Sequence, residues 1–192
     1  MKDAPESDLV ATLSGGDRRS IGRANEVADR VGDLASAAAQ LLLAIEGDDP
    51  VVRLRAADAL EKASAKSPSI LEPLKGDLLR LLKDHPQMEV RWHLIQMTPR
   101  LCLGQRERQE AVELLMGHLG DKSAIVRADA LSALTEFARR DGDLRAQWEP
   151  ALNRFTHDGA AAVRARARKL MRTLARDEDD PASHSSSSHD SS

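Results

Sequence analysis

Aromatic residues are nearly missing from this 192-residue chain, which has two tryptophans, two phenylalanines and no tyrosine. A surface built to stack nucleobases in succession would have too few platforms. The single cysteine, Cys102, excludes an internal disulfide framework. Flanked by Leu101 and Leu103, it reads as a buried thiol rather than a nucleophile. The longest apolar stretch, residues 37 to 45, is far too short to span a bilayer, and charges at Lys2, Asp3 and Glu6 stand where a secretory signal needs apolar residues. A cytoplasmic protein is expected. No Gly-rich phosphate loop follows a strand, and Gly15-Gly16 is a break ahead of a helix. His85, His93, His118 and His157 show neither the i,i+4 pairing nor the cysteine partners of a zinc site, and His184 with His189 form a pair without further ligands. No Ser/His/Asp set can be drawn. The expectation is a protein that is not an enzyme and takes no cofactor or metal.

What the chain does have is a period. Arg53, Arg91, Arg127 and Arg164 recur at intervals of 38, 36 and 37 residues. Each follows a valine and heads an apolar series: Ala56, Ala59 and Leu60; Leu94 and Met97; Ala130, Ala133 and Leu134; Ala167, Leu170 and Met171. Counted from the arginine, apolar residues fall at offsets −1, +3, +6 or +7 and +10, one buried stripe on an amphipathic helix. A second apolar helix precedes each copy, and polar turns such as Gly47-Asp48-Asp49-Pro50 and Gly120-Asp121-Lys122-Ser123 supply the breaks and caps. A two-helix unit of this size cannot bury its apolar faces alone, so neighbours must stack and share one elongated core.

The helix, the Asp-containing turn and the Val-Arg-x-x-Ala-x-x-Ala-Leu run resemble the HEAT repeat, most plainly over residues 47 to 63 and 121 to 138. The chain as a whole resembles small stand-alone bacterial HEAT-repeat proteins. The resemblance implies an all-α, right-handed α-solenoid of about four repeats, near residues 33–66, 68–101, 104–140 and 143–176, with a degenerate copy within 1–31. It implies, too, that Arg53, Arg91, Arg127 and Arg164 pair with turn acids such as Asp121 and Asp158 and tie repeats together. Residues 177 to 192 hold five acids, no base and a serine run, which reads as a disordered tail. Fold analogy carries little weight for activity, since relatives of this fold include adaptors, transport factors, bilin lyases and DNA glycosylases.

In a HEAT-like array the second helices line the concave side, and offsets +1, +5 and +8 point away from the core. These positions hold Leu54, Asp58 and Glu61, then Trp92, Gln96 and Pro99, then Ala128, Ser132 and Thr135, then Ala165, Lys169 and Arg172. The surface runs from acidic to basic, with Leu54 and Trp92 as an apolar anchor for a protein partner. The expected partner-binding residues are Leu54, Asp58, Glu61, Trp92, Gln96, Lys169 and Arg172. Arg18, Arg19 and Arg23 near one end and Arg166 and Arg168 in the basic last helix form a possible anion-binding set. Nucleic acid, including a base-excision role with Trp92 beside Asp129, is the second reading. The acids of the inner face oppose it, since a groove tracking a phosphate backbone should be basic throughout.

Overall fold

The structure is a computed structural model that describes residues 8–15 and 20–179. Among the described residues it contains ten α-helices: α1 (Asp8–Leu13), α2 (Ala24–Val31), α3 (Ala35–Ile45), α4 (Pro50–Lys66), α5 (Lys75–Asp84), α6 (Met88–Met97), α7 (Gln105–His118), α8 (Ala124–Ala138), α9 (Gly142–Phe155) and α10 (Ala161–Asp179). Two 3-10 segments, Pro68–Leu74 and Thr98–Arg100, interrupt the second repeat. The apolar helix expected ahead of the Arg91 copy begins as α-helix only at Lys75, because Pro73 cannot donate into an α-helical ladder. Helices α2, α4, α6, α8 and α10 pack side by side as one layer, and α3, α5, α7 and α9 form the other. This is an α-solenoid.

Turn residues start helices of both layers as their chemistry requires. The Asp49 carboxylate accepts from Val51 N at 2.7 Å, with Pro50 at the first helical position. Ser123 accepts from Val126 N at 3.4 Å, and Asp141 caps α9 by accepting from Leu144 N at 3.0 Å. The buried stripe then runs through Ala56, Ala59, Leu60 and Ala63 on α4 and through Ala130, Ala133, Leu134 and Phe137 on α8. Alanine at so many of these positions lets neighbouring helices approach closely, while each fully buried leucine contributes about 1.5–3 kcal/mol. All of these residues but Ala130 belong to a single core extending from Leu9 to Leu174.

Several placements differ from the sequence reading. Cys102 is exposed: it lies in the extended linker before α7, where Leu101 turns into the core and the next side chain is directed outward. Ala128 and Thr135 are buried, because α8 is rotated so that Thr135 faces α9 and its Oγ1 accepts from the indole N–H of buried Trp148 at 3.0 Å. Helix α10 continues through residues 177 to 179, and Asp177 accepts from Arg139 at 2.6 Å. The rest of the acidic, serine-rich segment expected to be disordered, residues 180–192, lies outside the described residues.

Candidate functional site

The four recurrent arginines share one role. Each donates Nη1 to the two carbonyls that end the preceding turn: Arg53 to Gly47 and Asp48, Arg91 to His85 and Pro86, Arg127 to Asp121 and Lys122, and Arg164 to Asp158 and Gly159. In the first three copies the remaining edge of the guanidinium reaches the next repeat. Arg91 meets Asp121 at 2.9 Å, and Arg127 meets Asp158 at 3.6 Å. Arg53 donates to the amide oxygen of Gln87 at 2.8 Å, so the first rung is neutral at its acceptor.

A second ladder runs along the inner face, the side of the second-layer helices turned away from the first layer. Here offset +5 of one repeat meets offset +2 of the next. Gln96 Nε2 donates to Asp129 at 3.0 Å, Arg166 donates to Ser132 Oγ at 2.6 Å, and His93 Nε2 lies 3.9 Å from Asp58. The residues at offset +2 are Arg55, His93, Asp129 and Arg166, polar in every copy. That column could have been read from the stacked repeats as the surface facing the preceding repeat. Asp58, expected on the open face, is buried and salt-bridged to Lys62 at 2.7 Å. Glu61 is half-buried and holds Arg100 at 2.6 Å, while the same guanidinium also donates to Glu61 O and Ser64 Oγ.

Burial shifts the ionisable members. Desolvation pushes the Asp129 carboxyl above its usual range, partly offset by Arg166 and by the Gln96 hydrogen bond. Desolvation lowers the pKa of His93 despite the nearby charges of Asp58 and Glu61, and its Nδ1 is buried without a hydrogen bond. Burial thus favours the neutral imidazole. It packs edge-on to Trp92, with ring centroids 5.5 Å apart.

Trp92 and Leu54 are half-buried, and Trp92 leans against the core. Lys169 and Arg172 are exposed on α10. Of the anion-binding candidates, Arg18 and Arg19 lie outside the described residues. Arg23 is clamped to Glu26 at 2.6 Å, Arg166 belongs to the inner ladder, and Arg168 is exposed with a long bond to Thr156 O at 3.4 Å. The structure therefore puts Arg23 and the α10 arginines at separate places. The inner face is instead shaped by two grooves that share Glu61. One, about 450 Å³, is lined by Asn25, Asp29, Lys62, Ala65 and Lys66; the other, about 550 Å³, by Gln96, Pro99, Arg100, Ser132, Arg140 and Arg166. Among the described residues, no group of three or more His, Cys, Asp or Glu side chains is placed to hold a metal ion, and no helix is long and apolar enough to cross a membrane.

Comparison with known proteins agrees with this architecture. A family model described as HEAT repeats matches residues 37–135. The complex of CpcE and CpcF of phycocyanin lyase from Nostoc sp. PCC7120 contains a chain that is similar at a TM-score of 0.67 and 20 % identity, over 86 % of this chain and 96 % of that one. A designed armadillo repeat protein in complex with the peptide (KR)4 is similar at a TM-score of 0.60 and 18 % identity, over 88 % and 81 % of the two chains. A second designed armadillo repeat protein gives 0.57 and 20 %, over 88 % and 81 %. At such identities these likenesses concern the fold. No curated protein matches the sequence.

Proposed function

The chain belongs to the HEAT-repeat family, and on that premise we propose that it is a non-catalytic scaffold that binds an extended segment of a partner protein along its inner face. The observation that carries this reading is the pair of adjoining grooves, which together involve α2, α4, α6, α8 and α10. Their walls offer donors and acceptors at the spacing of successive repeats, the arrangement needed to grip a chain in extended conformation. Their ionisable groups are tied to one another, as in Glu61 with Arg100 and Asp129 with Gln96 and Arg166, so they hold a shape rather than await a substrate. The designed armadillo protein in complex with the peptide (KR)4 is a solenoid of similar fold with a peptide bound.

In this reading Leu54 and Trp92 supply apolar contact, Glu61 and Gln96 line the path, and Asp58 contributes through the wall. Lys169 and Arg172 at the α10 end, opposite Asp29 on α2, set the direction of the segment. Trp92→Ala weakens binding by about 2 kcal/mol, the scale of an interface hot spot. Because Trp92 also leans on the core, groove-filling variants are the cleaner test. Ala65 is exposed and Pro99 half-buried, so Ala65→Trp and Pro99→Trp obstruct the two grooves without emptying the core. Affinity capture from a native lysate, with and without nuclease, is run on the original chain and both variants. A protein that survives nuclease and is lost with either variant supports the reading. Captured material that vanishes with nuclease, or that both variants retain, sinks it.

A further inference from the structure

At α9 and α10 the chemistry of an internal junction recurs, with no further repeat stacked on it among the described residues. Arg53, Arg91 and Arg127 each take a side-chain oxygen from the following turn, whereas Arg164 bonds the carbonyls of its own turn and meets no such oxygen among the described residues. On the inner face Asp58, Gln96 and Ser132 each meet a residue of the next repeat; Lys169, at the same offset, is exposed. In the column seven residues after each arginine, Leu60, Thr98 and Leu134 are buried while Met171 is only half covered. Met171 lies in a groove of about 420 Å³ with Ala146, Glu149, Pro150 and Asn153. Pro150, having no N–H, also withholds the usual helical donor from the carbonyl of Ala146.

These observations agree on what fits the surface, and we propose that the α9–α10 end docks a helical hairpin of another polypeptide that carries a carboxylate in its interhelical turn. That carboxylate seats on Arg164, a second acid near the start of the partner's second helix faces Lys169, and an apolar side chain covers Met171. The chain contains its own template for this contact. Repeat three docks on repeat two through Asp121 to Arg91 and, eight residues later in sequence, Asp129 to Gln96. At the end surface the receiving residues are both cationic, and Arg168, Arg172 and Arg176 beside them are exposed, so the complement is more acidic than any internal repeat.

Other occupants match less well. A nucleic acid laid along α10 would run from these cations towards Asp177 and gains nothing from an apolar groove. Residues 180 to 192 offer Asp180 and Asp190 but no aliphatic side chain larger than alanine apart from Pro181. A second copy docked through the same end sets cation against cation, and its turn acids Asp121 and Asp158 are already bound.

The test places a photo-cross-linker in the groove, as Ala146→p-benzoylphenylalanine, in the full chain exposed to a native lysate. Ala146 is exposed, so the fold tolerates the change. Cross-linked segments are sequenced by mass spectrometry. The expected product is a helical segment of a different protein bearing Asp or Glu at its turn. Its yield falls about tenfold in the double variant Lys169→Glu/Arg172→Glu, which alters two exposed side chains, a loss on the scale of one close charge pair. Arg164→Gln lowers it as well, with circular dichroism melting run alongside to separate unfolding from lost contact. Products with nucleic acid, residues 180–192 or a second copy, or none above the level given by the same cross-linker at exposed Gln109, overturn the proposal. Lys169 and Arg172 also stand at the end of the inner path, so the separating variant is Ala65→Trp, which touches no residue of the end surface: it leaves the cross-link unchanged even where it abolishes capture through the inner face.

Discussion

Replacing Arg55 separates what the first repeat contributes by packing from what it contributes by one buried cation. Arg55 is only 2 % exposed, and its guanidinium donates to three backbone carbonyls: Nη1 to Leu13 O at 2.8 Å and to Gly15 O, and Nε to Ser20 O at 3.1 Å. It is also pressed against Gly22, where φ is +55° and an added Cβ would lie 2.8 Å from Arg55 Cζ. These bonds fasten Leu13 and Gly15 at the end of α1 and Ser20 ahead of α2 onto α4. A hydrogen bond from a charged donor contributes roughly 1.5–3 kcal/mol, so three would exceed the usual limit for a single substitution. The full sum is not lost, because the segment can lift away and rehydrate its carbonyls. Leu9, Leu13, Val27 and Val31 remain to hold it. Arg55→Met, which keeps an aliphatic stem, is therefore expected to lower stability by about 3 kcal/mol, read from urea unfolding. Hydrogen exchange in residues 8–31 should rise while α6 to α10 stay protected. Arg55→Lys, with one compact ammonium in place of the fork, falls between. A loss below about 1 kcal/mol, or unchanged exchange in 8–31, would refute the role assigned to this side chain.

Three further sets of substitutions test the ladders and the core. Asp121→Asn leaves Arg91 an amide oxygen, the acceptor Arg53 already uses in Gln87, and lowers urea-unfolding stability by less than about 1 kcal/mol, whereas Asp121→Ala strands both Arg91 and the N–H of Ser123 and costs about 2–3 kcal/mol. Trp148→Phe and Thr135→Val each break the same buried bond and each lower stability by about 2 kcal/mol, with the double variant losing less than their sum in a mutant cycle. His93 carries the pH dependence: its folded pKa is depressed below 6.5, so on acidification the unfolded chain takes up the proton first. Its contribution is complete above pH 6.5 and declines as pH falls below that value. Melting temperatures of His93→Phe between about pH 7 and 5 should show a shallower decline than the original chain, with the remaining slope belonging in part to His85, also depressed by burial.

The periodic features were legible and the rotational ones were not. Valine, arginine and alanine recur at helical spacing, and stacked hairpins follow from that; the turns show in their Gly, Asp, Pro and Ser, while the pairing of Arg91 and Arg127 with Asp121 and Asp158 followed from the resemblance to HEAT repeats. Gln87 was hidden because the second turn, with Pro86, carries its acceptor at a different position from the aspartates of the third and fourth turns. Thr135 and Asp58 were placed on an open face by a helical wheel that treats each helix alone. Which flank is covered depends on where the adjoining helix sits, and a wheel does not contain that neighbour. Trp148 over Thr135 and His93 beside Asp58 decide it. Cys102 was misread for a simpler reason: it follows Leu101 in extended backbone, where successive side chains alternate, and not in a helix.

The same bonds divide the surface by function. A residue in the middle of either ladder is held by the neighbouring repeat, so changing Gln96, Asp129 or Arg91 alters the fit between repeats before it alters any contact with a partner. Arginines reinforce this by reaching back across the array, Arg100 to Glu61 and Ser64, Arg140 to the carbonyl of Pro99. In the scaffold proposed above, selectivity then comes from side chains outside the ladders: Leu54 and Trp92, the small residues that set groove width, such as Ala65, and the cations of α10 beyond the last rung. Substitutions within the ladders should move stability and leave binding of the folded fraction in place; those outside them should do the reverse. A scan in which mid-ladder variants abolish binding at unchanged melting temperature would show that the ladders open to receive the partner, and the inner face would then be a surface that exchanges its own hydrogen bonds for those of its ligand.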